Sequence, residues 1–434
     1  MKIICFPHFY YLSEVSRLVE IGLALRGLGQ EVLFFSHGGG YEYVAREAGF
    51  EVTAVAPHMS PQRAADYMAF NRGDKGNPFR DSFFTYEELQ AYVPAEADAF
   101  RQARADAVLI GWNLPSYLSA LLAGIPILVQ QPGPFTAPFF DRKMGVFQPS
   151  LFGAARHLPL NWLVNWWLPR AKIWLAPFNR MAQSLGLPQW KSTLDLMAGD
   201  LTLVMDAPEI LGILPDELHS YQPRHPHFFR RPPVYRYGGP CFARLSGDVP
   251  ESIRAHFDTS RPKLYCAMGV SGSPRVLANI IEIAENLEIQ SVIATTTVLP
   301  GREGNDSGRV LLTPHVPAHL VNPLADIAIT HGGAGTVQTA VHSGTPLVGV
   351  PMHLEQTGNL SLVTRQGAGL MLSKWDLDRR SLGRALERLL SDASLRQNML
   401  RLKAFQDKVD GAAVAAREIV NFLGASNPNM RAAT

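Results

Sequence analysis

The sequence predicts an α/β protein with two doubly wound domains that face each other across a cleft. Short apolar strands alternate with helices in both halves of the chain, which is typical of parallel sheets built from βαβ units. The length of 434 residues exceeds what one hydrophobic core usually contains. Apolar residues make up 47% of the chain and charged residues 18%, as expected of a globular protein. Ligands of such sheets bind beyond the carboxyl ends of the strands, so we expect the site there.

The first half begins with a strand, a helix and a second strand. Apolar residues recur at helical spacing from Val15 to Leu28, and Gly29 ends that helix. The elements predicted in this half are the strands Ile3–Phe6, Val32–Phe35, Ala107–Ile110 and Pro126–Val129 and the helices Val15–Leu28 and Ser116–Leu122. Residues 130–150 are rich in Pro, Gly and Phe and predict a long loop.

The second half repeats this alternation. A stretch rich in Pro, His and Arg at residues 213–240 predicts an interdomain linker before it. The predicted strands are Lys263–Met268, Ser291–Thr295, Val310–Leu312, Asp326–Ile329 and Pro346–Val350, and one long last helix covers roughly residues 394–423. We therefore predict domains at residues 1–225 and 226–405, followed by a helix and tail at 406–434.

Charge and cysteine content exclude several classes of function. The formal net charge is +2 and no run of Lys or Arg occurs, so we expect no nucleic-acid partner. Cys5, Cys241 and Cys266 lie far apart, form neither a disulfide framework nor a metal pair, and indicate a reducing, cytoplasmic setting. The first residues lack the apolar stretch of a secretory signal, and no charge-free apolar run of about 18 residues predicts a membrane-spanning helix.

A glycine-rich turn follows the predicted strand Asp326–Ile329. The turn and the start of the next helix comprise His331, Gly332, Gly333, Ala334, Gly335 and Thr336, with the helix expected to begin at about Thr336. Glycines let a ligand approach the backbone, and free N–H groups at a helix N-terminus favour a phosphate. His331 adds a ring N–H or a positive charge. The alternative is a tight structural turn.

Two polar residues follow the next strand. Glu355 and Gln356 lie at a strand-to-helix junction that is predicted to face the same cleft. A carboxylate beside an amide suits the hydroxyl groups of a sugar, because both side chains form hydrogen bonds with hydroxyls. The alternative is a helix N-terminus with Glu355 in the first turn.

Residues 310–370 resemble the donor-binding signature of family 1 glycosyltransferases, two-domain enzymes of the GT-B fold with two facing Rossmann-like domains. The matching pieces are His315–Pro317, His331–Thr336, Gly344–Pro346, Pro351, Glu355–Gln356 and Asn359. Weaker likeness covers nearly the whole chain and includes Tyr237–Pro240 and the turn at Met268–Gly269. The group includes plant natural-product enzymes and bacterial antibiotic and carotenoid enzymes.

The resemblance assigns roles to these residues. It implies that His331 and the glycine turn hold the donor diphosphate, together with Gly269 and Ser271, and that Glu355 and Gln356 bind the sugar. It also implies that the nucleobase lies near His315 and the backbone of Val316, and that the last helix, residues 406–434, returns to the first domain. His315 stands where relatives often have Trp, and Ala318 where many have Gln. These two departures leave UDP- and dTDP-sugars both open as donors.

The same resemblance points to Glu14 as the general base. Members usually have a His sixteen residues before a Gly-His pair; here that pair is Gly29-Gln30, and the count leads to Glu14. A carboxylate is ionised at neutral pH and can take the proton of an attacking hydroxyl. Two alternatives remain: Glu14 caps the first helix, or His8 is the base.

The expected reaction is inverting transfer of a hexose to a hydroxyl of a hydrophobic small molecule. No cofactor and no metal are expected, because the nucleotide sugar is a co-substrate. Asp376-Leu377-Asp378 imitates a DxD metal motif, but its place before a helix favours Asp378 as an N-cap. Two rivals share the architecture: a nucleotide-sugar 2-epimerase and a non-catalytic nucleotide-sugar-binding protein.

A tryptophan-rich stretch at residues 162–174 has two interpretations. Trp162 and Trp166 share one face of a predicted helix, and Trp167 and Trp174 follow. Aromatic stripes usually pack between helices, which is the first interpretation. The second is a wall for an apolar acceptor or a surface for peripheral membrane contact.

Overall fold

The structure, a computed structural model, describes residues 1–77, 80–147, 160–295, 298–302, 308–314 and 316–426. The chain divides into two compact units. Unit 1 contains Met1–Gly145, Asn161–Cys241 and Val409–Thr434, and unit 2 contains Val146–Leu160 and Phe242–Lys408. His315 and the tail beyond residue 426 lie outside the described residues. Cys5, Cys241 and Cys266 are buried and free.

Unit 1 is built on a seven-stranded parallel sheet in the order β3-β2-β1-β4-β5-β6-β7. Its strands are β1 Lys2–Cys5, β2 Glu31–Ser36, β3 Val52–Ala54, β4 Ala107–Ile110, β5 Ile127–Gln131, β6 Leu201–Val204 and β7 Tyr235–Tyr237. Its helices are α1 Leu12–Gly27, α2 Glu42–Glu47, α3 Pro61–Arg72, α4 Tyr86–Ala103, α5 Ser116–Ala123, α6 Ala137–Asp141, α7 Asn161–Trp167, α8 Leu175–Ser184, α9 Thr193–Met197, α10 Pro208–Leu211 and α11 Pro215–His219. The central strands are buried along their whole length, which explains their continuous apolar sequences.

Unit 2 is built on a six-stranded parallel sheet in the order β10-β9-β8-β11-β12-β13. Its strands are β8 Lys263–Ala267, β9 Gln290–Ala294, β10 Val310–Thr313, β11 Ile327–Thr330, β12 Leu347–Gly349 and β13 Gly369–Met371. Its helices are α12 Glu251–His256, α13 Pro274–Glu285, α14 Ala318–Val321, α15 Ala334–Ser343, α16 Leu354–Thr364, α17 Arg379–Ser391 and α18 Ala393–Gln406. In each sheet the strand order reverses beside the first strand, as in doubly wound folds.

The last helix of the described chain, α19 Gly411–Ser426, belongs to unit 1. Ala415 and Ile419 of α19 lie in the same hydrophobic cluster as Leu18 of α1 and Leu203 of β6. The sequence predicted one long helix at 394–423; the structure instead has α18 and α19, separated by residues 407–410. Apolar periodicity continues across this break, which is why the pattern did not reveal it.

Two other predictions are corrected by packing within unit 1. The stretch 213–240 is not simply a linker, because it contains α11 and the edge strand β7, whose pairing with β6 moves the boundary between the units to Cys241–Phe242 instead of 225–226. Residues 130–150 include the end of β5 and the helix α6, not a plain loop. Among the described residues, no helix is both long and apolar enough to cross a membrane.

Candidate active site

In unit 1, Glu14 joins two loops that follow parallel strands. Its Oε1 accepts hydrogen bonds from the backbone N–H groups of His8 (3.1 Å), Gly111 (3.1 Å) and Trp112 (2.8 Å). His8 follows β1, and Gly111 and Trp112 follow β4, the neighbouring strand. Glu14 lies in the first turn of α1, but the N-cap residue is Tyr11, and no side chain caps it. The alternative that Glu14 is a helix cap is therefore wrong, since its three donors precede the helix or come from another loop.

The two oxygens of Glu14 have different surroundings. All three N–H groups reach Oε1, and within the described part of the chain no hydrogen bond reaches Oε2. The side chain is 3% exposed, and this burial raises the pKa of its carboxyl group. The N–H donors and the positive charge of Arg17 oppose that rise. A buried carboxylate with one unbound oxygen and a raised pKa is suited to accept a proton.

A second buried carboxylate holds the loop after β4 in place. Glu96 on α4 is fully buried; it pairs with His37 Nε2 at 2.7 Å and accepts a hydrogen bond from Ser116 Oγ at 2.8 Å. Asn113 Nδ2 donates to both Glu96 (3.3 Å) and Ser116 (2.9 Å). The network thereby fixes the loop that contributes Gly111 and Trp112 to Glu14. Sequence reasoning missed it, although Glu96 lies within the apolar face of α4, where an unpaired charge would be costly.

His8, the alternative base, is buried against the rings of Tyr10, Tyr11 and Tyr67. Neither ring nitrogen has a hydrogen-bond partner among the described residues. Burial, helped by the nearby His37, lowers the pKa of His8 to about 3. An imidazole of so low a pKa is a weak proton acceptor at neutral pH, so the geometry favours Glu14 over His8.

The tryptophan-rich stretch divides into two parts. Trp174 packs against Phe83 and Trp112, with ring centroids 4.9 Å and 6.3 Å apart, and Trp112 also contacts Phe135. Trp162 and Trp166 on α7 are instead 66% and 55% exposed. The core-packing interpretation is therefore wrong for Trp162 and Trp166, while Trp174 belongs to an aromatic cluster that includes the residue bound to Glu14.

In unit 2, the glycine turn joins β11 to α15. The helix begins at Ala334, two residues earlier than predicted, and Gly333 is its N-cap residue. No side chain caps this helix, so its first N–H groups keep the capacity to bind an anion. Thr330 and Thr336 brace the turn: Thr330 Oγ1 donates to Thr336 Oγ1 (2.7 Å), which donates to the carbonyl oxygen of Gly333 (2.8 Å).

His331 is held between two glycine backbones. A Cβ added to Gly269, whose φ is 56°, would lie 2.6 Å from His331 Cε1, and one added to Gly333 would lie 2.6 Å from Nε2. Only glycine leaves the ring this space. His331 is 4% exposed, and burial lowers its pKa to about 4, although a hydrogen bond to the backbone of Ala267 opposes the shift. The His331 ring is therefore neutral at pH 7. Of the two contributions considered from the sequence, a ring N–H or a positive charge, it provides the N–H.

The predicted sugar-binding pair has two different environments. Gln356 is fully buried; its Nε2 donates to Ser271 Oγ (3.0 Å), and its Oε1 accepts from the N–H of Met352 (2.7 Å). Gln356 thus ties together the loops after β12 and β8. The side chain of Glu355 is 26% exposed, and its Oε1 accepts from Asn359 Nδ2 at 2.6 Å. Glu355 is the member of the pair with a side chain at the surface.

The remaining predicted residues are placed as follows. Val316 is buried in a cluster with Val292 and Val321, whereas His315 lies outside the described residues. Asp378 is the N-cap of α17, where its Oδ1 accepts from the N–H of Ser381 at 2.7 Å, as the N-cap prediction stated. In the described ranges, no group of three or more His, Cys, Asp or Glu residues is placed to hold a metal ion.

Comparison with known proteins identifies the group to which this site belongs. Residues 292–420 match the family described as Erythromycin biosynthesis protein CIII-like, C-terminal domain. The chain is 26% identical to a PGL/p-HBAD biosynthesis glycosyltransferase of Mycobacterium tuberculosis over 342 residues, which cover 74% of this chain and 71% of that protein. The chain is a glycosyltransferase.

Solved structures show the same fold. The glycosyltransferase SnogD from Streptomyces nogalater matches with a TM-score of 0.64 and 19% identity, covering 98% of this chain and 100% of that one. Spinosyn rhamnosyltransferase SpnG matches with a TM-score of 0.64 and 17% identity, covering 97% and 100%, and its structures include complexes with thymidine diphosphate and with spinosyn aglycone. This glycosyltransferase therefore has the GT-B fold.

Proposed function

We propose that this glycosyltransferase transfers a hexose, with inversion, from a UDP- or dTDP-sugar to a hydroxyl of a hydrophobic small molecule. The observation that carries the proposal is the carboxylate of Glu14, whose Oε1 is fixed by three backbone N–H groups while Oε2 accepts none within the described residues. A group held in this way keeps one oxygen for the acceptor and does not need to reorganise during the reaction.

The proposed step is a single displacement at the anomeric carbon. The acceptor oxygen attacks, its proton passes to Glu14 Oε2, and the bond between the anomeric carbon and the diphosphate breaks. The electron pair of that bond leaves with the nucleoside diphosphate. His331 and the N–H groups at the start of α15 stabilise the negative charge that develops there.

The donor site is assigned to unit 2. In this proposal the diphosphate contacts His331, Gly332, Gly333, Ala334, Gly335 and Thr336, with Gly269 and Ser271 beside it. Glu355 binds the sugar hydroxyls directly. Gln356 contributes to the sugar site from behind, because both ends of its amide already bind Ser271 and Met352.

The nucleobase and the acceptor are assigned more broadly. The base lies by the backbone of Val316 and by His315, and the complex of SpnG with thymidine diphosphate supports dTDP as one candidate carrier. Trp112 belongs to an aromatic cluster with Phe83, Phe135 and Trp174, and its backbone N–H donates to Glu14. The cluster therefore places apolar side chains beside the proposed base, which supports an apolar acceptor. Neither an epimerase nor a purely binding role is proposed, since the curated relatives are named glycosyltransferases.

Calorimetry with nucleoside diphosphates and NMR of the product test the proposal. UDP or dTDP should bind, and a ligand present at 100 times its Kd stabilises the folded protein by about 2.7 kcal/mol. With an accepted sugar donor, the glycoside should have the opposite anomeric configuration to the donor, and EDTA should leave the rate unchanged. Absence of binding by every nucleoside diphosphate would contradict the donor assignment, and retention of configuration would contradict single displacement.

A further inference from the structure

The helix α7 exposes two tryptophans on one face. Trp162 and Trp166 are 66% and 55% exposed, and their spacing of four residues places them one turn apart on the same side. Tryptophan is the side chain with the largest apolar surface, so exposing two neighbouring rings to water is unfavourable. The pair needs a partner that the proposed donor and base sites do not provide.

None of the residues of α7 is buried, and the helix is held to unit 1 by Asn165 and by the residues that follow it. Asn165 forms two hydrogen bonds of 2.8 Å with the backbone of Gly145, one as donor and one as acceptor. Immediately after the helix, Leu168 and Pro169 are buried. α7 is therefore an anchored element that presents two rings, and not a frayed end.

One cation lies against the exposed face, and a second follows it closely in the sequence. The guanidinium carbon of Arg170 lies 5.2 Å from the centre of the Trp166 ring, and Lys172 is exposed two residues further on. The sequence from residue 160 to 194 contains no Asp or Glu, although it includes Arg170, Lys172, Arg180 and Lys191. The whole chain has 38 acidic residues, so a stretch of this length with none gives the face a local positive charge.

Two carboxylates lie on elements near α7, and each has partners of its own. On α6, which packs against α7, Asp141 accepts hydrogen bonds from Tyr221 Oη (2.6 Å) and from the N–H of Arg224 (3.0 Å). Glu217 on α11 pairs with Arg142. Asp141 keeps its negative charge, and that of Glu217 is balanced by Arg142. Arg170 bonds to Trp166 O and to His225, and among the described residues neither Arg170 nor Lys172 forms an ion pair with a carboxylate.

We propose that the face formed by Trp162, Trp166, Arg170 and Lys172 docks on an anionic lipid bilayer. Indole rings partition into the interface between headgroups and acyl chains, and basic side chains beside them are attracted to anionic headgroups. The helix is short and amphipathic in this sense, so it would lie on the bilayer and not cross it. Such docking brings the enzyme to a lipid surface in which apolar alcohols concentrate.

Vesicle binding measured on the full chain tests this proposal. We expect the protein to sediment with vesicles of phosphatidylcholine and phosphatidylglycerol and not with pure phosphatidylcholine. Trp162→Ala with Trp166→Ala should abolish this binding. Lys172→Ala should lower the partition coefficient about fivefold, because one basic residue near an anionic surface contributes about that much. Raising the salt concentration should weaken binding by the wild type, since screening reduces surface attraction.

Trp375 provides the matched control. It is 55% exposed and lies 5.3 Å from Lys374 Nζ, but Asp376 and Asp378 follow it closely. Trp375→Ala should leave vesicle binding unchanged. Equal loss in the Trp375 variant would overturn the proposal, as would binding to phosphatidylcholine alone or preference for an oligonucleotide over anionic vesicles.

Two further readouts separate the lipid surface from other occupants. If the double tryptophan variant binds vesicles normally but has a raised KM for a water-soluble acceptor, the face is an acceptor wall and the proposal fails. If the wild type is dimeric in sedimentation velocity and the double variant is monomeric without vesicles, the face binds a second copy and the proposal also fails. Calorimetry should show normal donor binding in the double tryptophan variant and in Trp375→Ala. This measurement separates failure of the docking proposal from failure of the proposed sugar transfer.

Discussion

Each unit buries a titratable side chain to which the proposed reaction assigns a role, Glu14 in unit 1 and His331 in unit 2, but the surroundings of the two side chains are completed in opposite ways. In unit 1, three backbone N–H groups converge on Glu14 Oε1. In unit 2, the helix that begins beside His331 has no side-chain cap. One site is supplied with its own donors, and the other leaves its donors unused.

This difference matches the two proposed roles, a base in unit 1 and a diphosphate site in unit 2. A carboxylate bound by N–H groups keeps its position without a ligand, so it can be ready before the acceptor arrives. Unused N–H groups at a helix start instead gain most from a ligand that carries negative charge. The contrast predicts that changes in unit 1 affect the rate, whereas changes in unit 2 affect both donor binding and the rate.

The largest effect is expected from Glu14→Gln. The glutamine Oε1 can still accept the three N–H groups, while its Nε2 replaces the oxygen that takes the proton. We expect turnover to fall by about 10²–10⁴-fold, the usual contribution of a positioned base. Steady-state kinetics should show the loss, and calorimetry should show unchanged donor affinity. A variant with near-normal turnover would remove Glu14 from the mechanism.

His331→Ala should have the next largest effect. Removing a donor that stabilises developing charge costs about 10²–10³-fold in rate. In contrast to Glu14→Gln, this variant should also bind the nucleoside diphosphate more weakly. His331→Gln retains an N–H donor and should recover part of both losses. Unchanged diphosphate affinity in the alanine variant would break the distinction between the two units.

The smallest expected effect is a change in the free energy of unfolding at acidic pH, to which His331 and Glu14 contribute with opposite sign. Burial lowers the pKa of folded His331 to about 4 from an ordinary value of 6.5. The unfolded chain therefore binds more protons between these values, and stability falls as pH decreases through that window. The complete shift corresponds to about 3 kcal/mol for His331.

Glu14 changes stability in the other direction. Burial raises the pKa of its carboxyl group in the folded protein. The contribution of Glu14 to stability therefore falls as the pH rises from the pKa of the unfolded chain through that of the folded protein.

Urea unfolding of the wild type and of His331→Gln at several pH values tests the prediction for His331. The difference in unfolding free energy between the two proteins should change between pH 6.5 and pH 4 and should stay constant above pH 6.5. A constant difference throughout would mean that His331 is not buried as a neutral ring.

Much of the fold was readable because the central strands are buried on both faces. Such strands have continuous apolar sequences, as in Ala107–Ile110 and Ile327–Thr330, and these were predicted to within a residue or two. The edge strand β7 has an arginine, Arg236, at its centre and follows two prolines, so its sequence does not resemble a buried strand. Its pairing with β6 depends on tertiary structure and could not be predicted from the local sequence pattern.

The site shows the same division. The turn at His331–Thr336 was predictable because glycine spacing and a helix start are local features. The partners of its neighbours are not local: Gln356 binds Ser271, which is 85 residues earlier, and His37 binds Glu96, which is 59 residues later. Only the folded chain shows that Gln356 is a brace and that Glu96 supports the loop that contacts Glu14.

The position of α19 in the core of unit 1 has a consequence for synthesis. Residues 242–408 of unit 2 leave the ribosome as one continuous stretch, whereas unit 1 waits for Ala415 and Ile419 before its cluster with Leu18 is complete. Domains generally fold as units during translation. Unit 1 is thus the first unit to begin synthesis and the last to be completed. A nascent chain without α19 exposes the apolar face of unit 1 that this helix covers.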